Sequence, residues 1–222
     1  MPIPIDRLVR SRRRTVALIV ERDGSLTVRA PLRLAEVHIR EFVDSHADWI
    51  ARHQARLQAV PLPPAKDYNE GGTFLYLGKS FPLTIVPHQR AALHFDGANF
   101  RLAKSAIPNA EEAFVRWYKT QAAALLLERV LLLAGKYNLH YQKIRVSSAR
   151  TRWGSCSVNG TLSFTYPLVK APLEVVDYVV LHELVHTRIR NHSKAFWNKV
   201  QELMPDYKTR LTWLKKNGKF LM

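Results

Sequence analysis

The 222-residue chain has a single cysteine, Cys156, so no disulfide can form within it and the disulfide-stapled secreted scaffolds are excluded. A cytoplasmic, reducing environment is the expected location. Long apolar runs are also missing: the longest helical one, residues 122–134, is interrupted by Glu128 and Arg129 and falls short of the roughly 20 residues of a membrane span. No membrane partner is expected. The opening MPIPIDRLVRSRRRTVALIV sets arginines between two short apolar stretches and lacks the continuous apolar core and cleavage site of a secretory signal. There is no Gly-rich phosphate loop, no paired-cysteine zinc finger and no RNP-type signature. Acidic residues are scarce, 18 Asp and Glu against 34 Lys and Arg, for a formal charge of +16.

What is present is otherwise globular in character, 47% apolar and 10% aromatic, which sets disorder and low complexity aside. The charge is uneven. Residues 1–60 carry a net +4, residues 61–140 a net +3 and residues 141–222 a net +9. Such a basic surface expects nucleic acid or nucleotide as a partner; the plainer alternative is a solvated face that aids solubility.

Residues 15–20 and 26–29 flank Arg22-Asp23-Gly24-Ser25, an Asp-Gly hairpin signal. Val37, Phe42, Trp49, Ile50 and Leu57 then recur at near-helical spacing, which predicts one long helix over residues 35–59. The proline cluster at 60–66 is the best linker candidate. Short strand-like runs at 74–77, 81–86, 93–95 and 100–103 predict an antiparallel meander. A helix capped by Asn109, with Glu112 as its third residue, is expected to reach Lys136, with Gly135 near its end. Strands at 144–148, 152–158 and 161–166 surround an Asn159-Gly160 turn, and a helix begins at Pro172. The fold class is α+β. The expected division is a β-rich region with one long helix over residues 1–108 and a second region over 109–222, although the helix from Asn109 could pack with either.

The most informative residues are His182-Glu183-Leu184-Val185-His186. Four residues of helix advance 400°, which leaves the two imidazoles about 40° apart on one face and about 6 Å apart along the axis, able to share one metal ion. Glu183, about 100° round, can reach a water on that ion without being a ligand. In a shuffled chain of nine His and ten Glu the pattern arises only about 0.02 times. A catalytic zinc site takes three protein ligands and keeps one position open. His192, six residues beyond His186, becomes the third if the helix ends between them, with Asn191 in the left-handed conformation that terminates helices and Ser193 capping the next. The alternative is a loop histidine contacting backbone. Phe196, Trp197, Val200 and Leu203 give that next helix an apolar face to pack beneath the site.

These residues, with Asn191-His192-Ser193, Phe196-Trp197, Arg152-Trp153-Gly154-Ser155-Cys156 and Asp177-Tyr178-Val179-Val180, closely resemble the YgjP-like metallopeptidase family, related to the SprT-like and WLM proteases. The resemblance is specific over about residues 140–215, and Val28-Arg29-Ala30-Pro31 resembles the family's N-terminal region. It implies a zincin-type fold for the second region, with His182, His186 and His192 as zinc ligands and Glu183 as the catalytic carboxylate. The histidine spacing equals that of metzincins, but those have glycine where this chain has Ile189, and no Met-turn is evident.

The expected function is therefore hydrolysis of a protein or peptide substrate by a zinc-activated water with Glu183 as general base. The strand and turn at 150–156 would bind extended substrate. Arg152 would stabilise an oxyanion; alternatively it pairs with Asp177 while Trp153 fills the core. Cys156 reads as a small buried hydrophobe rather than a nucleophile, and Tyr166 as a weak candidate donor. The remaining histidines, 38, 46, 53, 88, 94 and 140, have no metal-like spacing. Two other function classes stay open. One is a nucleoside triphosphate pyrophosphatase using the same site, favoured if Arg145, Arg150, Arg152, Arg188 and Arg190 converge on it. The other is a basic nucleic-acid-binding module without catalysis, and a compromise between it and the peptidase is a protease recruited to DNA, as SprT-like relatives suggest.

Overall fold

A computed structural model describes residues 3–21, 23–58 and 67–222, with the side chains of 56–58 left aside. Arg22, the Leu57 side chain and the proline cluster at 60–66 lie outside the described residues. The chain forms two compact units, Met1–Pro64 and Ala65–Met222.

In the first unit, β1 (Arg7–Ser11), β2 (Ala17–Val20) and β3 (Leu26–Pro31) form a sheet of order β1-β3-β2. The Asp-Gly turn between β2 and β3 is present: Gly24 takes φ +87°, and Ser25 donates from its amide and its hydroxyl to Asp23 Oδ1. The sheet is mixed rather than antiparallel, because β1 runs parallel to β3. Arg10 Nη1 anchors β1 by donating to the carbonyls of Pro31, Leu32 and Leu34. Alternate residues Leu26, Val28 and Ala30 are fully buried against Ile39, Val43 and Ile50.

Those last three come from two helices, α1 (Glu36–Asp44) and α2 (Ala47–Gln58), where the periodicity predicted one. The break has a local cause. The Ser45 hydroxyl and His46 Nδ1 both bond to the Phe42 carbonyl, at 2.9 and 2.8 Å, and take the acceptor that an unbroken helix would give to the His46 amide.

The second unit opens with β4 (Thr73–Tyr76), β5 (Lys79–Val86), β6 (Leu93–Phe95) and β7 (Phe100–Ala103). Their order is β4-β5-β7-β6, and β5 pairs with β7 in parallel, so the expected antiparallel meander is corrected. Phe100 and Leu102, both fully buried, give β7 the inner position, while the short β6 is left at the edge. A 3₁₀ turn (Lys104–Asn109) leads into α3 (Ala110–Tyr137). Asn109 stands at the helix entrance without a side-chain cap, and the helix ends at Asn138, left-handed at φ +50°, beyond Gly135.

The second sheet consists of β8 (Lys143–Ser147), β9 (Gly154–Cys156) and β10 (Thr161–Thr165) in the order β8-β10-β9. β9 is antiparallel to β10 and lies at the edge. Then come a 3₁₀ turn (Tyr166–Lys170), α4 (Leu173–Val185), α5 (Lys194–Leu203), α6 (Tyr207–Asn217) and a last 3₁₀ turn (Gly218–Phe220).

One core joins these elements: Phe74, Leu83 and Phe100 from the first sheet, Phe114 and Leu126 from α3, Leu162 and Phe164 from β10, and Val176, Val180 and Leu184 from α4. The strands at 73–103 are thus built into the same core as the histidine helix. The division falls at Pro64/Ala65 and not after residue 108, because those strands have no separate core of their own. Among the described residues, no helix is long and apolar enough to cross a membrane.

Candidate metal centre

The helix α4 is apolar nearly all round, with Val175, Val176, Val179, Val180, Leu181, Leu184 and Val185 buried, so it runs through the interior of the unit. Pro172 is the cap rather than the first helical residue, and its fixed φ suits that entrance. A helix in this position must find partners for its charged side chains. Asp177 receives two bonds from Arg129 of α3, at 2.7 and 2.8 Å, with both side chains 15% exposed. Asp177 is therefore not available to Arg152, which corrects the ion pair considered from sequence.

Glu183 is buried, and its carboxylate lies against the backbone of β9. A Cβ placed on Gly154 would stand 2.6 Å from Glu183 Cγ and 2.7 Å from Oε1, so only glycine leaves room for the carboxylate there. Burial pushes the Glu183 pKa up to about 7, and the charge of the exposed Arg152 opposes the rise.

His182 and His186 share one face, as the spacing predicts. The helix ends at Val185, and His186 itself forms the C-cap, with φ −63° and ψ −16°. Tight turns follow: the amides of Thr187 and Arg188 bond to the carbonyls of Leu184 and Val185. Asn191 does not take the left-handed conformation expected of it; among described non-glycine residues only Leu77 and Asn138 have positive φ. Ser193 stands at the entrance of α5 in extended conformation, without a side-chain cap.

This short loop carries His192 back over α4. His192 Nε2 lies 3.0 Å from His182 Nε2 and 3.2 Å from His186 Nε2. These three form the one group of potential metal ligands among the described residues. Phe196, fully buried at the start of α5, lies beneath all three rings, with centroids 4.8, 4.4 and 4.9 Å away, and Trp197 flanks His182 and His192. The apolar face read from the sequence of α5 is the floor of the site.

The donor chemistry fits a divalent ion. Burial, reinforced by the two neighbouring histidines, holds the His182 pKa down to about 3, and burial also lowers His186. Both are neutral imidazoles at physiological pH. His186 Nδ1–H donates to the Ile189 carbonyl at 3.0 Å, which leaves Nε2 with a lone pair facing its neighbours. Nitrogens this close need a proton or a cation between them, and imidazoles sharing a tetrahedral zinc at about 2.0–2.1 Å place their nitrogens about 3.3 Å apart. His182 Nδ1 is buried without a hydrogen-bond partner.

The other residues singled out from sequence are placed as follows. Cys156, half-buried on β9, has its thiol pKa raised by burial despite the charge of Arg190, which makes it a poor nucleophile. Tyr166 lines a cavity of about 130 Å³ with Tyr68, Phe74, Phe114, Tyr118 and Lys170. Trp153 packs on the core and against Gly218. The five arginines do not all gather on one cleft, although Arg152 acts on Glu183 and Arg190 on His186. Arg188 donates to the Asn138 carbonyl at 2.6 Å, Arg190 to the Ser157 and Val158 carbonyls, and Arg145 lies on β8, at the far edge of the sheet from β9. Sequence reasoning did not anticipate the packing of Gly154 on Glu183, the Arg129 pair or the Arg190 bonds. A glycine inside a strand run was the one available signal, since it marks a close approach of backbone.

A comparison with curated proteins finds no match. At the level of families, the assignment spans both units, from just before β2 to the end of α6: the model of the YgjP-like metallopeptidase domain matches residues 14–217, and the chain belongs to the YgjP-like family.

Proposed function

We infer that the protein is a zinc-dependent peptidase, with the ion held by His182, His186 and His192 and with Glu183 as general base. The observation that carries this reading is the convergence of three Nε2 atoms, together with the buried carboxylate of Glu183, next to His182 in the chain, packed on a sheet edge. A zinc ion bound there supplies Lewis acidity toward the scissile carbonyl and a water of lowered pKa. Glu183 takes a proton from the attacking water and passes it to the leaving nitrogen. Burial pushes its pKa up to about 7 in the zinc-free protein, and the charge of a bound ion would draw it back down and keep it ionised as a base. Gly154 keeps that carboxylate in place. β9 pairs with extended substrate through its free edge, and Arg152, whose charge is felt at Glu183, stabilises the oxyanion.

The basic surface suits anionic substrates, or proteins carried on nucleic acid, as partners. The pyrophosphatase reading is not favoured, since two of the five arginines it needs are bonded to backbone carbonyls.

Chelation and reloading test the assignment. Cleavage of an unfolded protein is expected to stop when the metal is removed and to return with one equivalent of zinc, while nucleoside triphosphates stay intact. Zinc-dependent release of pyrophosphate without any peptide cleavage would overturn it.

A further inference from the structure

The loop between His186 and His192 contains two arginines, and both guanidinium groups bond to backbone. Arg188 reaches back to the carbonyl of Asn138 at the end of α3, at 2.6 Å. Arg190 reaches the opposite way, to the turn between β9 and β10, where Nη1 donates to the Ser157 carbonyl at 2.7 Å and Nη2 to the Val158 carbonyl at 2.5 Å. Charge-assisted bonds from the two ends of one planar fork fix direction as well as distance, which a lysine cannot do.

The turn that Arg190 holds is itself ordered. The Ser157 carbonyl also accepts from the Gly160 amide, and the Ser157 hydroxyl accepts from the Thr161 amide. Immediately before it in the chain lies β9, whose Gly154 abuts Glu183. His192, two residues after Arg190, is exposed, and its ring contacts those of His182, His186, Phe196 and Trp197. The loop that brings it to the other two histidines is tied down on both sides by Arg188 and Arg190.

We propose that Arg190 is a positioning residue that couples the third metal ligand to the substrate-binding edge strand. Through one guanidinium it sets both the place of His192 and the spacing between the metal and β9. The proposal rests on the metal assignment above. Its consequence is reciprocal: an ion that fixes His192 also rigidifies the 157–161 turn, and loosening that turn weakens the ion's hold.

The test uses the full chain and Zn²⁺ alone. Zinc affinity is measured by competition with a chromophoric chelator, and exchange of the 157–161 amides is followed with and without the ion. Arg190→Gln is expected to lose zinc affinity by about 10–100-fold, the usual cost of removing an outer-shell support, and to lose the zinc-induced protection of the turn. Arg190→Lys, which keeps the charge and can replace at most part of the fork, is expected to fall between the two and serves if the Gln variant does not fold. Unchanged zinc affinity in both variants, or equal zinc-induced protection of the turn with and without the fork, would overturn the proposal while leaving the metal site intact. A wild-type chain that binds no zinc would overturn the metal assignment and this proposal with it.

Discussion

At the scale of single residues, the site depends on the contact of Gly154 with Glu183, where the next atom that β9 could carry is already excluded. Gly154→Ala puts a methyl group within 2.7 Å of the carboxylate and forces it aside. Displacements of this size at a reacting group cost about 10²-fold in rate. The expected result is that kcat for peptide cleavage falls by about that factor while zinc affinity holds; a variant with full kcat would show that the carboxylate has no fixed position. Glu183 also carries a pH signature in the zinc-free protein. Its folded-state pKa of about 7 lies above the ordinary 4.5, so the folded state holds the proton more tightly than the unfolded chain. Stability then falls as pH rises from about 4.5 to about 7, by on the order of 3 kcal/mol. Glu183→Gln lacks this loss. Urea denaturation is expected to find the two proteins alike in their pH-dependent term at pH 4.5, with the variant gaining relative to wild type up to pH 8. A stability difference that does not change with pH would contradict the burial of the charge.

At the scale of elements, the Arg129–Asp177 pair fixes α4 against α3, and it does so from a position where water reaches little of either side chain. Removing Arg129 leaves a carboxylate among apolar residues. Arg129→Met is expected to destabilise the protein by about 2–3 kcal/mol, somewhat below a fully buried pair because of residual exposure, as read from the urea midpoint. Arg129→Met with Asp177→Asn should recover part of that loss. The helix that carries the site was legible because its pattern is local: His182 and His186 at four residues, valines and leucines around them, Pro172 at the entrance. The end of α4 was legible as a requirement, since His192 cannot join the other two along a continuous helix. The means were not. The chain turns at His186 itself, and the anchors are bonds from Arg188 and Arg190 to carbonyls roughly thirty to fifty residues away in the sequence. The same holds for α1 and α2, whose common periodicity hides the break made when Ser45 and His46 bond to Phe42.

At the scale of the whole molecule, the order of strands is set by pairing across long stretches of chain, which short strand-like runs do not encode. The parallel pairing of β5 with β7 and of β1 with β3 follows from which strands carry the fully buried residues, and this placed the core of the second unit across residues 73–103 as well as the histidine helix. The net charge of +16 first suggests a polyanion, and part of the basic excess in the last third proves to be structural, in Arg188, Arg190 and the Arg210 that bonds Asp206 and the Glu174 carbonyl. On the proposed reading, charge bears on partners, while the chemistry rests on four residues of α4 and the loop after it. The most direct measurement of that claim is turnover of an unfolded protein substrate by wild type and Glu183→Gln, with bound zinc quantified in the same samples. The account predicts one zinc per chain in both proteins and cleavage by the wild type alone. Equal cleavage by the variant at equal zinc content would contradict it.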